Sequence, residues 1–370
     1  MAPAGQVCEN CTVTVAEAWT EVGERVREAR EAAGLTQGQL AAAIGVDRTA
    51  LVRVESGQRQ LNAMELFRLS DRLGVPLTHF ISRPPAAMVS RRVALTDEPT
   101  SADRTRFRLE VELETQASDT QWLVTNGLLS PPPFSAPDVH DALGLAQHAR
   151  RILNQPSGAL GPMADIGERL GVYLTVVDVD ADGASIMLDT YSVAVTGAAP
   201  DPGRRRWTAA HEIGHHLLQD EYTAEVGGVS ASRDEREQLV DSFAGEFLLP
   251  AQDLASALSG AQEGELRARL IAVAADYRIS WSAAVVRARQ CGLIPAEMAQ
   301  RLRADTPMRG DFLAVVGREP QPDLELGERG PQWKRAVLSA HREGLITAAR
   351  VVELLGGGLT IDDVPDRDAL

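Results

Sequence analysis

The chain has 370 residues, which at about 150 residues per domain suggests two or three domains. Apolar residues make up 44% and charged residues 24%, a balance that excludes disorder for most of the length. Acidic side chains number 52 against 37 basic ones, a net charge of −15, so the chain as a whole is no general polyanion binder. The excess is uneven: residues 14–83 hold nine acids and nine arginines, while residues 84–370 hold 42 acids and 28 bases. A neutral N-terminal module on an acidic body can still meet DNA through a local basic face.

Residues 1–13 read as a loose tail. Residues 14–82 carry short helical patterns broken by Gly34, Gly45, Gly57 and Gly74, each placed where a helix should end. Residues 84–100 are polar and contain proline, as a linker does, and 102–125 read as one helix. The run Ser130-Pro131-Pro132-Pro133 excludes a regular element. Helices are expected at 138–154 and 161–170. Strands are expected at 171–179, 184–189 and 191–197, which are rich in β-branched residues. Helical periodicity returns at 205–219, 233–248, 264–277, 281–290 and 295–304. A polar gap then precedes a helical end at 331–356. No apolar run approaches the roughly 18–20 residues of a membrane span. The N-terminus lacks a basic start and an apolar stretch, so the expected location is the cytoplasm.

Within the first module, Thr36 can cap a helix whose apolar face is Leu40, Ala43 and Ile44. Gly45 can end it, and Asp47 can cap the next helix. Leu51 and Val54 then face inward, with Arg48, Thr49 and Arg53 outward. Two guanidiniums and a hydroxyl on the exposed half of a short helix suit a major groove, where arginine binds guanine O6 and N7 together. Residues 21–80 resemble the helix-turn-helix of phage-repressor-type (XRE) regulators. The resemblance rests on Leu35-Thr36-Gln37, Leu40-Ala41, Ile44-Gly45-Val46, Val54-Glu55-Ser56-Gly57 and Leu73-Gly74-Val75. It implies that Gln37 contacts phosphate or base, that Arg48, Thr49 and Arg53 read bases, and that Gln58 and Arg59 touch the DNA backbone. A homodimer on paired half-sites is the usual arrangement for such modules.

The strongest chemical signal is His211-Glu212-Ile213-Gly214-His215, an H-E-x-x-H pattern. On a helix His211 and His215 share a face and can converge on one zinc, while Glu212 can reach a metal-bound water. A third ligand is needed. Downstream, Glu237 and Asp241 are four apart on one expected helix face. Glu237 can complete the site, and Asp241 can accept from the free ring nitrogen of a ligand histidine. Asp241 and Glu246 are the fallback ligands. His216 points elsewhere on the helix and suits a hydrogen bond better than ligation. Tyr222 is a candidate for steadying an oxyanion. Cys8 and Cys11 have ligand spacing but no second pair, and with Cys291 they make three cysteines, too few for a disulfide framework.

These stretches resemble the ImmA/IrrE family of zinc metallopeptidases over roughly 138–300. The carriers are Thr208 and His211-Glu212-Ile213-Gly214-His215, then Glu237…Asp241…Phe243-Ala244…Leu248-Leu249-Pro250. The resemblance implies zinc ligands His211, His215 and Glu237, a catalytic carboxylate at Glu212, and a repressor-type protein as substrate. Leu239-Val240 departs from the family pattern, where a polar residue and then alanine are expected.

The fold expected is mainly α with a small β-sheet. The divisions are a tail (1–13), an all-α helix-turn-helix domain (14–83), a linker with one helix (84–137), an α+β zincin-like metallopeptidase domain (138–260) and a helical C-terminal extension (261–370). The function expected is a DNA-binding transcriptional regulator that binds a double-stranded operator and hydrolyses a peptide bond in a partner protein using zinc. The alternative is a regulator whose metallopeptidase-like domain senses a ligand without proteolysis.

Overall fold

The computed structural model describes residues 15–81, 89–92, 99–134, 137–139, 141–198, 201–219, 230–356 and 359–367. Cys8, Cys11 and Tyr222 lie outside the described residues. The chain forms two compact units. The first holds the described residues up to 81 and the start of a later helix through Val111; the second holds a short strand at Val89–Arg92 and everything from Glu112 onward.

The first unit is built from α1 (Val15–Ala32), α2 (Gln37–Ile44), α3 (Arg48–Glu55), α4 (Ala63–Leu73) and α5 (Leu77–Ile81). Thr36 and Gln39 form a reciprocal capping box at the start of α2, and Gly45 closes α2 in the left-handed conformation at φ 78°. Asp47 Oδ1 then accepts from Ala50 N at 2.8 Å, so one residue separates the end of α2 from the cap of α3. Leu40, Ala41, Ile44, Leu51, Val54, Leu69 and Phe80 are buried in one core with Val26 and Ala29 of α1. Each fully buried Val, Leu, Ile or Phe side chain there stabilises by about 1.5–3 kcal/mol.

The second unit begins with β1 (Val89–Arg92) and the latter part of α6 (Pro99–Thr125), followed by α7 (Ala142–Ile152) and α8 (Met163–Arg169). Next come β2 (Val172–Val177), β3 (Gly183–Leu188) and β4 (Tyr191–Gly197), then α9 (Pro202–Leu218), α10 (Ser230–Leu248), α11 (Ala251–Leu258) and α12 (Glu263–Tyr277). The chain finishes with α13 (Trp281–Gln290), α14 (Ala296–Ala304), α15 (Arg309–Val316), α16 (Pro331–Arg342), α17 (Ala348–Leu355) and a 3₁₀ turn at Ile361–Asp363. The sheet order is β1-β3-β4-β2, with β2 parallel to β4 and the other pairs antiparallel. No helix among the described residues is long and apolar enough to cross a membrane.

The chain thus adopts the expected mainly helical fold with a small sheet. Three differences are informative. β1 comes from the stretch read as linker; four residues without alternation leave no period to detect. α15 comes from the polar gap; none of its residues is fully buried, and its start is held by Asp311 Oδ2 accepting from Met308 N at 2.8 Å. The helical end is two helices, broken at Gly344, which takes φ 76°. One apolar core runs from Leu145 to Leu324, and Leu270, Ile271, Ala284 and Val285 share it with Phe243 and Phe247. Packing is therefore continuous across residue 260.

Candidate functional site

Every residue of α9 from Thr208 to Leu217 is buried. A helix enclosed on all sides must satisfy its polar groups internally, so the partners of its histidines and glutamate are informative. Asp201 caps its start by accepting from Gly203 N at 2.8 Å, and Pro202 occupies the first turn. Arg206, fully buried one turn before the histidines, pairs with Asp323 and donates to the carbonyls of Leu160 and Gly161. α10 packs directly on α9: a Cβ added at Gly214 would lie 2.8 Å from Phe243 and 2.9 Å from Val240. Val240, the departure from the family pattern, fills that contact. The end of α10 is pinned by Arg150 donating to Phe247 O at 2.9 Å and Arg287 donating to Leu249 O at 3.2 Å.

These contacts set three side chains around one point and place a fourth behind them. His211 Nδ1 lies 3.0 Å from Asp241 Oδ1, and its Nε2 lies 3.2 Å from Glu237 Oε2. His215 Nε2 is 3.0 Å from His211 Nε2 and 3.9 Å from Glu237 Oε2. His211, His215 and Glu237 each offer one ligand atom, all within 4.8 Å of one another. Asp241 on Nδ1 favours the tautomer that leaves Nε2 as the lone-pair donor. Two imidazole nitrogens and a carboxylate oxygen are a donor set that a zinc ion takes while keeping a position open. Burial opposes the charge on His211, but the hydrogen bonds from Asp241 and Glu237 and the nearby carboxylates outweigh it, raising its pKa to about 9. Without a metal, the cluster therefore holds a proton.

Glu212 is fully buried beside this cluster. Its Oε2 accepts from Ser185 Oγ of β3 at 2.6 Å, whereas Oε1 has no hydrogen-bond partner among the described residues. Gly183 of β3 packs closely on the same helix: a Cβ there would lie 2.6 Å from Thr208 Cγ2 and 2.9 Å from Val195 O, with Glu212 Oε1 next at 3.5 Å. His216 faces away, with Nδ1 2.8 Å from Ser192 Oγ of β4 and its ring edge-on to Phe134. Burial pushes its imidazole down to about 4, so it is a neutral packing group. Glu246 is occupied by its ion pair with Arg287. The sequence reading missed Ser185, because one serine in a strand carries no signal of the helix it faces. It also missed Arg206 with Asp323, which are 117 residues apart.

In the first unit, Arg48, Thr49, Arg53 and Gln58 are exposed on and just beyond α3. The other two candidates are engaged within the fold. Gln37 Nε2 donates to Glu55 Oε2 at 2.9 Å, and Glu55 also forms a buried pair with Arg30 at 2.6 Å. Arg59 is paired with Glu65 at 2.7 Å, and that hydrogen bond raises its pKa.

A cap-glycine-cap pair of helices, followed by a helix-borne His/Glu/His cluster completed from a second helix, defines a DNA-binding module joined to a metallopeptidase-type domain. Comparison with known proteins bears on both parts. Residues 26–80 match the helix-turn-helix family model, and residues 168–289 match the M78 peptidase family model, described as the IrrE N-terminal-like domain. A relative from Rhodospirillum rubrum, an uncharacterized transcriptional regulator in the ATPase CF(0) region, is 35% identical over 74 residues; these are 20% of this chain and 68% of the relative. The chain belongs to the XRE-type helix-turn-helix regulators, and it carries an IrrE/ImmA-like domain behind its DNA-binding domain.

Proposed function

We propose that this regulator is also a zinc-dependent peptidase, which reads an operator through α3 and hydrolyses a peptide bond in a partner protein of repressor type. The observation that carries the enzymatic part is the convergence of His211 Nε2, His215 Nε2 and Glu237 Oε2 beside Glu212, whose Oε1 is buried and free of hydrogen bonds among the described residues. Decay of an enzyme to a binding module leaves no pressure to keep a buried carboxylate in that state, since burying an unpaired charge is costly.

His211, His215 and Glu237 would hold the ion. Bound there, zinc supplies Lewis acidity and a water that ionises near neutral pH. Asp241 fixes the ring of His211. Ser185 holds one oxygen of Glu212, and the other makes no hydrogen bond among the described residues. Glu212 takes a proton from the attacking water and returns it to the departing amine, the work of one carboxylate acting as base and then as acid. On the DNA side, Arg48, Thr49 and Arg53 face bases and Gln58 the backbone, while Gln37 and Arg59 act first as struts within the domain.

The test compares protein N-termini in cells carrying the wild-type chain or Glu212→Gln, under DNA damage, oxidative stress and metal stress. A protein cut only in wild-type cells supports the reading. Identical termini and identical transcriptomes would replace it with the sensor reading.

A further inference from the structure

β1 is four residues long, lies at the outer edge of the sheet and, among the described residues, pairs with β3 alone. Its place in the chain is unusual. Among the described residues, those up to 81 and Pro99–Val111 belong to the first unit, whereas Val89–Arg92 lies on the sheet of the second.

The strand it covers is the one that touches Glu212. Arg92 pairs with Gly183 and Ser90 with Ser185, antiparallel. Gly183 lies against Thr208 and Glu212 of α9, and Ser185 is the residue bonded to Glu212 Oε2. Neighbouring strands lie about 4.8 Å apart, so whatever pairs with Gly183–Ser185 passes one strand spacing from residues in contact with that carboxylate. An exposed sheet edge recognises an extended peptide through its backbone, whatever the side chains.

We propose that Val89–Arg92 is a displaceable cover on the β3 edge, one that an incoming extended segment of a protein substrate must displace before it can pair there. The inference rests on the peptidase reading of Glu212. Its physical terms favour a reversible cover. Four residues paired on one side form a weak strand. The tether makes up for this, because a segment held at both ends rebinds at a high effective concentration. A competing peptide then sees its affinity reduced by the fraction of chains whose edge is open.

The experiment uses the full chain in a Glu212→Gln background, so that bound peptide stays intact. The probe is a fluorescein-labelled peptide with the sequence of residues 86–95. The two variants are Ser90→Pro and Arg91→Pro. Adjacent residues in a strand turn their amides to opposite sides, so one of the two removes a cross-strand amide. That variant is expected to bind the peptide at least about ten-fold more tightly than the parent. Hydrogen exchange should show faster exchange in Gly183–Leu188 of that variant, with protection of β2 and β4 unchanged as evidence of folding. The inference is overturned if both variants bind the peptide as the parent does, or if β3 exchange is the same in all three proteins. Neither readout needs turnover. Tighter peptide binding in a variant, with no protein cut by the wild-type chain, would sink the peptidase reading and leave the covered edge standing. A wild-type-specific cut with no change in either variant would do the reverse.

Discussion

Ser185 Oγ and Glu212 Oε2 are joined by a 2.6 Å hydrogen bond in a buried site, which ties the middle of β3 to the first helix of the metal cluster. A hydroxyl donor fixes the rotation of the carboxylate, so on the peptidase reading Ser185 positions the group proposed to move the proton. Ser185→Ala should slow the wild-type-specific cut by about ten-fold, short of the roughly 10²–10⁴-fold effect of removing an acid–base group outright. Ser185→Thr should restore most of it. The readout is the rate at which the new terminus appears after induction, with zinc content measured alongside. Loss of zinc in Ser185→Ala would mean that the serine supports the fold of the site and not its base.

One zinc per chain is expected in purified protein, and His211→Ala and His215→Ala should each abolish it. Glu237→Ala should weaken it strongly. Asp241→Ala should keep the stoichiometry but lower affinity by about 10–100-fold, the usual effect of losing the partner of a ligand histidine. Metal analysis after dialysis against graded chelator separates these cases. Full occupancy in Glu237→Ala would move the third ligand to Asp241, since Glu246 is held by Arg287.

The sequence was most legible where chemistry forces residue types into fixed spacing. His211, Glu212 and His215 stand on one helix at the spacing that lets two histidines share an ion, and Glu237 and Asp241 stand four apart on another. The caps at Thr36 and Asp47 and the glycine between them were equally legible, because local backbone geometry admits few residues there. What stayed hidden depends on distance along the chain. Ser185, Arg206 and Asp323 acquire their roles only when the sheet, α9 and the segment before α16 are packed together. Gln37 and Arg59, of types that suit DNA, are also bonded to Glu55 and Glu65, which pattern alone does not reveal.

The pair of Arg206 and Asp323 carries a stability prediction. Both are buried, and Asp323 also accepts from Met163 N at 3.2 Å. Asp323→Ala leaves a guanidinium inside the fold without its counter-charge, which costs about 3–5 kcal/mol in comparable sites. Urea denaturation of the full chain, followed by tryptophan fluorescence, should show the second unit unfolding at markedly lower urea. An unchanged midpoint would mean that the carbonyls of Leu160 and Gly161 satisfy Arg206 without Asp323.

Metal binding should depend on pH through His211. In the metal-free chain its folded pKa is about 9 against an ordinary 6.5, so the folded form holds the proton more tightly. That stabilisation is complete below about 6.5 and is lost as pH rises through about 9. Zinc must displace the same proton, so its apparent affinity should climb by about ten-fold per pH unit toward pH 9 and then level off. The metal-induced rise in Tm should accordingly be smallest near pH 6 and grow toward 9. His216 acts in the other direction and without metal: with a folded pKa of about 4, its contribution is present above 6.5 and is lost as pH falls toward 4. A metal-induced Tm shift that is flat from pH 6 to 9 would show that His211 carries no proton in the metal-free protein.

Exposure separates the residues of the first unit into two kinds, and binding measurements should show the division. Arg48 and Arg53 are exposed on α3, so Arg48→Ala and Arg53→Ala should each weaken binding to a mapped operator by about 1–3 kcal/mol and relax preference at one base position. Gln58→Ala should weaken binding to every sequence alike and leave the dependence on salt unchanged, because an uncharged amide releases no counterion. Gln37→Ala and Arg59→Ala should behave differently, because their side chains are bonded to Glu55 and Glu65. Their larger effect should be a lower Tm of the first unit, with base preference retained. Fluorescence anisotropy against the operator and against single-base variants, at two salt concentrations, reads both quantities. If Arg48→Ala and Arg53→Ala bind the operator as tightly as wild type, α3 is not the helix that reads DNA.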